Sequence, residues 1–137
     1  MNTEHTTDEI CHLLEQHGIK PTSQRSVIAR AMLSKPQHLS AEQVLSLVNM
    51  YGEYVSKATV YNTLNLFVDK GLIHQVFIDP AKVFYDSNTS NHCHFYNEDT
   101  GELSDFSSSD IKIEPMPTLP ENTVQLGVDV MIRIKNS

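Results

Sequence analysis

The sequence predicts an α+β fold in which a helical first part ends in a β-hairpin and a smaller, strand-rich part follows. Apolar residues recur at helical spacing as far as Val68, and from Leu72 onward the period changes to that of strands. The charge balance shifts in the same region: residues 87–137 carry three basic and eight acidic side chains, and so −5 of the formal net charge of −7. We therefore place a boundary after Asp86, which gives domains 1–86 and 87–137.

The composition excludes several classes of protein. With 39% hydrophobic and 20% charged residues in 137, the chain is neither low-complexity nor disordered. A run of 18 apolar residues is missing, and so is a secretory signal, so we expect no membrane partner and a cytoplasmic location. The two cysteines, Cys11 and Cys93, belong to no C-x-x-C pair, so we expect no structural cysteine–zinc site.

Four helices are predicted in the first part, and each has a capping signal. The signals are Gly18 after the first helix, Thr22 before the second, the Ser40/Gln43 capping box before the third, and Ser56 and Gly71 around the fourth. The runs Leu72–Ile78 and Lys82–Asp86 then predict a hairpin. Helices followed by a hairpin are typical of a winged helix-turn-helix, a DNA-binding domain.

The second part is predicted to contain strands at His92–Tyr96 and Glu102–Phe106. Apolar and polar residues also alternate strictly from Val124 to Ile134, which predicts one long strand with an apolar face. A segment this short cannot bury much core alone. We expect a second copy of the chain to cover the apolar face, which makes the protein a homodimer.

Double-stranded DNA is the expected partner of the first part. The fourth helix would be the recognition helix, with Val60, Leu64 and Phe67 turned inward. The candidate DNA-contacting residues are Lys20, Arg25, Lys57, Ala58, Thr59, Tyr61 and Asn62. The segment Lys20–Lys35 holds four basic residues and no acid, although the whole chain is acidic. An ordinary solvated helix bundle is the competing interpretation.

A metal site is suggested by His92 and His94. Residues two apart on a strand share a face, which suits two imidazole ligands on one ion. Two surface histidines are the alternative interpretation. The pattern His92-x-His94-x-x-x-Glu98 also resembles a fragment of the cupin metal motif of non-haem enzymes, but the flanking glycines and a second histidine motif are missing. We therefore expect no enzyme.

Four motifs occur in a familiar order. They are Gly18-Ile19-Lys20-Pro21-Thr22-Ser23-Gln24-Arg25, His38-Leu39-Ser40-Ala41-Glu42, Ala58-Thr59-Val60-Tyr61-Asn62-Thr63-Leu64 and His92-Cys93-His94. Together they resemble the ferric uptake regulator family of metal-responsive transcription factors, from about Asp8 to Ile134. The resemblance implies a winged-helix DNA-binding domain, a small α+β dimerisation domain and a repressor that binds A·T-rich inverted repeats as a dimer.

The resemblance also implies a regulatory metal site that bridges the two domains. Its ligands match His38, Asp86, His92, His94 and Asp105. Three imidazoles and two carboxylates suit one divalent metal per chain, with Fe²⁺, Mn²⁺ and Zn²⁺ left open. Aspartate at both carboxylate positions is similar to the peroxide-sensing branch, in which bound Fe²⁺ reacts with peroxide and a histidine ligand is oxidised.

Other features look like the iron response regulator branch, which is linked to haem and iron status. They are Asn62 after Val60-Tyr61, the segment Met116–Glu121, and Asn97 and Thr100 at the positions of the first cysteine pair. Cys93 is a candidate ligand for haem or for a second metal site, although strand alternation places it opposite the two histidines. The resemblance thus leaves iron, peroxide and haem open as the signal.

Overall fold

The computed structural model describes residues 7–137 apart from residues 51, 53 and 91. The chain divides into two compact units, Met1–Thr89 and Ser90–Ser137. The sequence placed its boundary after Asp86. No helix in the described part of the chain is both long and apolar enough to span a membrane.

Four helices form most of the first unit. They are α1 (Thr7–Gln16), α2 (Ser23–Leu33), α3 (Ala41–Met50) and α4 (Lys57–Asp69). The predicted N-caps are confirmed, since Thr22 Oγ1 accepts from the Arg25 N–H and Ser56 Oγ accepts from the Thr59 N–H. Ser40 and Gln43 form the reciprocal capping box of α3, at 2.9 and 3.2 Å. These side chains satisfy backbone N–H groups that lack a partner inside the helix.

Glycine ends α1 and α4. Gly18 and Gly71 have φ angles of 73° and 77°, a left-handed conformation that costs glycine little. The next residues, Ile19 and Leu72, donate their N–H groups back to the helix ends, each at 2.9 Å. Both side chains are thereby directed into the core.

The core of the first unit lies between the four helices and the sheet. Its fully buried side chains include Ile10, Leu14, Ile28, Met32, Val44, Val60, Leu64, Phe67 and Ile73. Val60, Leu64 and Phe67 are the inward face predicted for α4. The opposite face of α4 is left at the surface.

Three antiparallel strands complete the first unit in the order β1-β3-β2. They are β1 (His38–Leu39), β2 (His74–Asp79) and β3 (Lys82–Asp86). The hairpin of β2 and β3 was predicted, and Asp79 Oδ1 stabilises its turn by accepting from the Ala81 N–H at 2.8 Å. Strand β1 was not predicted, and within it His38 pairs with Asp86 on β3. Two residues are too few to show a strand period.

The second unit is a three-stranded sheet in the order β5-β4-β6. Its strands are β4 (His92–Asn97), β5 (Leu103–Ser107) and β6 (Met131–Ile134), with β6 parallel to β4. A 3-10 turn at Ser108–Asp110 is the only helical segment described in this unit. Among its described residues, those that are buried are few: Cys93, Tyr96 and Leu103.

The prediction of one long strand from Val124 to Ile134 is wrong, because only its last four residues form β6. Backbone pairing defines a strand, and β6 finds a partner only along β4. The preceding apolar side chains, Val124 and Leu126, are 81% and 99% exposed. Alternation alone therefore marked an apolar surface without showing what pairs with it.

A group of polar side chains, the polar clasp, fastens the end of β6 to the β4–β5 turn. It comprises Asn97, Glu98, Asp99, Arg133 and Asn136. Asn97 Nδ2 donates to Asn136 Oδ1 at 2.9 Å, and the Asn136 N–H donates to Asp99 Oδ2 at 3.0 Å. Arg133 Nη1 donates to Glu98 Oε1 at 3.1 Å. The clasp holds the C-terminal residues at one end of the sheet.

Candidate metal centre

The first unit pairs His38 with Asp86 at the end of its sheet. Cross-strand register places the two residues opposite each other on β1 and β3. His38 Nε2 lies 3.1 Å from Asp86 Oδ2, and the Asp86 side chain is 1% exposed. A carboxylate this deeply buried needs a cation or hydrogen-bond donors around it. One donor is the Asn88 N–H, at 2.8 Å from Asp86 Oδ1.

Contacts with the end of α2 hold these two strand ends in place. The Gln37 N–H donates to Ser87 Oγ at 3.1 Å, which joins the residue before His38 to the residue after Asp86. The Gln37 side chain in turn donates to the carbonyl oxygens of Ala31 and Met32. Those two carbonyls belong to the last turn of α2, where backbone acceptors lack intrahelical partners. His38 and Asp86 are therefore presented by an anchored pair of strands.

The second unit gathers His92, His94 and Asp105. His94 pairs with Asp105 across β4 and β5, and His92 lies two residues earlier on the same face. The Nε2 atoms of His92 and His94 lie 3.6 and 3.4 Å from Asp105 Oδ1. The two rings meet edge to face, with centroids 4.6 Å apart. Two imidazole nitrogens thus face one carboxylate oxygen.

A backbone contact fixes the tautomer of His92. Its Nδ1 lies 2.7 Å from the Ser90 carbonyl oxygen. A carbonyl oxygen only accepts, so Nδ1 carries the proton and neutral His92 keeps its lone pair on Nε2, toward Asp105. Metal-bound histidines commonly donate their second ring nitrogen in this way.

The donor chemistry fits a divalent metal. Both groups combine imidazole nitrogen with carboxylate oxygen, and each of the five residues offers one ligand atom. Such mixed donors suit Fe²⁺, Mn²⁺ and Zn²⁺. Cys93, between the two histidines, is 5% exposed, and strand alternation turns its side chain to the other face of β4. Its burial favours a packing role for this thiol over a ligand role.

The residues predicted to contact DNA lie at the surface of the first unit. Lys57, Ala58, Tyr61 and Asn62 are exposed on α4, and Lys57 Nζ lies 5.9 Å from the centre of the Tyr61 ring. Thr59 is half-buried, and its hydroxyl accepts from Ser56 Oγ at 2.9 Å, so it belongs to the helix cap.

The two basic residues near α2 are joined to each other. The Arg25 guanidinium donates to the Lys20 carbonyl oxygen at 2.9 Å, and the Lys20 side chain is left exposed. This contact orders the chain just before α2. A cationic side chain on an ordered backbone is suited to a phosphate contact.

A cavity of about 250 Å³ adjoins α4 within this unit. Its lining includes Glu42 from α3, Tyr61 from α4 and Lys82 from the start of β3. Glu42 also lies 3.8 Å from Lys57, so an acidic side chain stands beside the candidate DNA-contacting residues.

Sequence reasoning missed Tyr85, which lies next to Asp86 on β3. Its side chain is 3% exposed, and its hydroxyl donates to Asn65 Oδ1 on α4 at 3.3 Å. Burial raises the pKa of Tyr85 above its ordinary value, while a hydrogen bond with the Gln75 side chain lowers it in part. Alternation on β3 could have shown that Tyr85 and Asp86 point to opposite faces, and hence that Tyr85 faces the helices.

Known proteins resemble this chain over most of its length. The family model for the ferric uptake regulator family matches residues 16–129. The peroxide-responsive repressor PerR of Staphylococcus aureus (strain Mu50) is 33% identical over 103 residues, which span 75% of this chain and 70% of the repressor.

Solved structures show the same fold. The ferric uptake regulator from Pseudomonas aeruginosa with manganese has a TM-score of 0.71 at 25% identity and covers 90% of this chain and 94% of its own. The peroxide stress regulator of Campylobacter jejuni has a TM-score of 0.65 at 22% identity over 94% of this chain and 97% of its own. Both the helices with their hairpin and the strand-rich unit therefore have counterparts. The chain belongs to the ferric uptake regulator family of metal-responsive transcriptional regulators.

Proposed function

We propose that this protein is a dimeric repressor whose binding to operator DNA depends on one divalent metal per chain. The observation that carries the proposal is that each unit holds one histidine–aspartate group, one before residues 87–91 in the sequence and one after them. His38 and Asp86 stand before this segment, and His92, His94 and Asp105 stand after it. A repressor acts by binding DNA, so the proposed role requires no catalytic activity.

The mechanism follows from the division of the ligands between the two units. When bound, the metal supplies positive charge and a fixed coordination geometry for all five side chains. Shared ligation restricts how the units are oriented, and in a dimer this orientation sets the spacing of the two α4 helices. Operator binding is tight only when that spacing matches the half-sites.

The signal we favour is iron or peroxide. Fe²⁺ suits the nitrogen and oxygen donors, and the manganese in the Pseudomonas aeruginosa regulator is a parallel that supports a divalent metal. Aspartate at both carboxylate positions and the likeness to PerR favour peroxide. Exposing the Fe²⁺-loaded protein to hydrogen peroxide separates the two: a peroxide regulator gains one oxygen atom on His38 or His92, detected by mass spectrometry, and an iron regulator does not.

The ligand set is tested by a His92→Ala, His94→Ala double variant. We expect it to lose stoichiometric Mn²⁺, measured by elemental analysis, and to keep its helical circular dichroism. Its affinity for a duplex selected by the wild type from a random pool should no longer depend on Mn²⁺. For the wild type, loaded and metal-free protein should differ by ~1–3 kcal/mol, the usual size of a coupling energy.

His12→Ala is the matched control, because His12 is exposed on α1 and lies outside both groups. It should retain Mn²⁺ and the metal-dependent affinity. A double variant that keeps both properties would show that the regulatory site lies elsewhere.

A further inference from the structure

Tyr85 lies where the three strands of the first unit pack against α4. It lies on β3 directly before Asp86, and its register partners are Leu39 on β1 and Gln75 on β2. The ring belongs to the main apolar core, where α4 also packs. Neighbouring strand residues point to opposite faces, so β3 presents Asp86 on one side and Tyr85 on the other.

The hydroxyl of Tyr85 connects this strand to α4. It donates to Asn65 Oδ1 at 3.3 Å. Asn65 lies three and four residues after Asn62 and Tyr61, and residues with this spacing share one face of a helix. The contact therefore reaches the same exposed face of α4 that carries the candidate base-contacting side chains.

We propose that the Tyr85–Asn65 hydrogen bond is a positioning contact that couples the metal-ligand end of β3 to the recognition helix α4. The inference rests on the proposed function, since it assigns a route by which ligation of Asp86 reaches the DNA-contacting face. A metal ion that binds the Asp86 carboxylate would restrict the position of the end of β3. Because Tyr85 is the adjacent residue on this strand, its position would be restricted as well. Apolar packing of the ring tolerates small shifts, whereas a hydrogen bond is directional.

Tyr85→Phe and Asn65→Ala test the contact from its two ends. The first removes only the hydroxyl and leaves the buried ring, and the second removes the Asn65 amide, which includes the acceptor Oδ1. Gln75→Ala is the matched control, because it removes the other hydrogen-bond partner of the same hydroxyl and leaves the link to α4. These three variants, the Tyr85→Phe, Asn65→Ala double variant and the wild type are studied as full chains with Mn²⁺ as the metal.

Two readouts are needed. The first is the affinity for the selected duplex with and without Mn²⁺. The gain in affinity produced by Mn²⁺ should fall about fivefold in Tyr85→Phe and in Asn65→Ala, the equivalent of one hydrogen bond. Combining the two changes should cause no further loss, since they break one contact. The Mn²⁺ affinity itself should stay unchanged, and Gln75→Ala should behave as the wild type in both respects.

The second readout is amide hydrogen exchange of α4, which does not involve DNA. Mn²⁺ should slow exchange in α4 of the wild type and of Gln75→Ala, and this slowing should be lost in Tyr85→Phe. An unchanged response in Tyr85→Phe, or equal losses of DNA affinity with and without Mn²⁺, would overturn the inference. If Mn²⁺ alters exchange in α4 of the wild type but not its DNA affinity, the proposed function fails while the coupling stands.

Discussion

Individual side chains in both histidine–aspartate groups are oriented by a contact on their far side. His92 is turned by the Ser90 carbonyl oxygen, and Asp86 is held by the Asn88 N–H. Such contacts reduce the rotamer freedom that a ligand loses when it binds a metal. Sequence spacing and family resemblance point to the candidate ligands, but these supporting groups belong to the backbone. Any residue supplies a backbone carbonyl or N–H, so they carry no sequence signal.

Tyr61 and Lys20 should differ in how they affect DNA binding. Tyr61 is exposed on α4, so Tyr61→Ala should cost about 1–3 kcal/mol at the selected duplex and less on random DNA. Lys20→Ala should weaken binding to both duplexes equally and reduce the salt dependence of binding. This is the effect expected from the loss of a phosphate contact, which does not depend on the DNA sequence. Fluorescence anisotropy at several salt concentrations measures both. Equal losses on both duplexes for Tyr61→Ala would remove α4 from its role as the recognition helix.

At the scale of elements, the sequence predicts those features of helices and strands that depend on residues close together in the chain. Thr22, Ser40 and Ser56 each act within three residues, so their caps are visible in the sequence and are confirmed. Strands β1 and β6 depend on partners distant in the chain. His38 pairs across to Asp86, and the extent of β6 is set by β4. Pairing of this kind has no local signature, which is why β1 was missed and β6 was predicted too long.

Ser56→Ala should destabilise α4 from its first turn. Ser56 Oγ accepts from the Thr59 N–H at 3.2 Å, and loss of such a cap costs about 1 kcal/mol. Urea unfolding followed by circular dichroism gives the change in unfolding free energy. Ser46→Ala is the control, since Ser46 is exposed inside α3 and caps nothing. A free energy of unfolding for Ser56→Ala equal to that of Ser46→Ala would contradict the capping role.

At the scale of the whole molecule, burial is divided unequally between the two units. The buried apolar residues that the structure describes are concentrated in the first unit, and those of the second are Cys93, Tyr96 and Leu103. The second unit also exposes Val124, Leu126, Val128, Ile132 and Ile134. A sheet with so little core of its own gains stability when a second copy covers its apolar side chains, which supports the proposed dimer.

Leu126→Asp should convert the dimer to a monomer. Leu126 is 99% exposed in the single chain, so the substitution costs the isolated chain little, but it would bury a charge in a dimer interface. Sedimentation equilibrium gives the mass. Ser104→Asp, an exposed change on β5, is the control and should leave the dimer intact. A Leu126→Asp variant that remains dimeric would place the interface on another surface.

The chemistry of the polar clasp determines how its contacts respond to an oxidant. Its contacts use the amides of Asn97 and Asn136, the carboxylates of Glu98 and Asp99, and the guanidinium of Arg133. Peroxide oxidises thiolates and thioethers, and these groups are neither. These side-chain contacts are therefore inert to an oxidant that would attack a cysteine-based site. In the peroxide regulator proposed above, these contacts would remain unchanged while the oxidant modifies a histidine of the metal site.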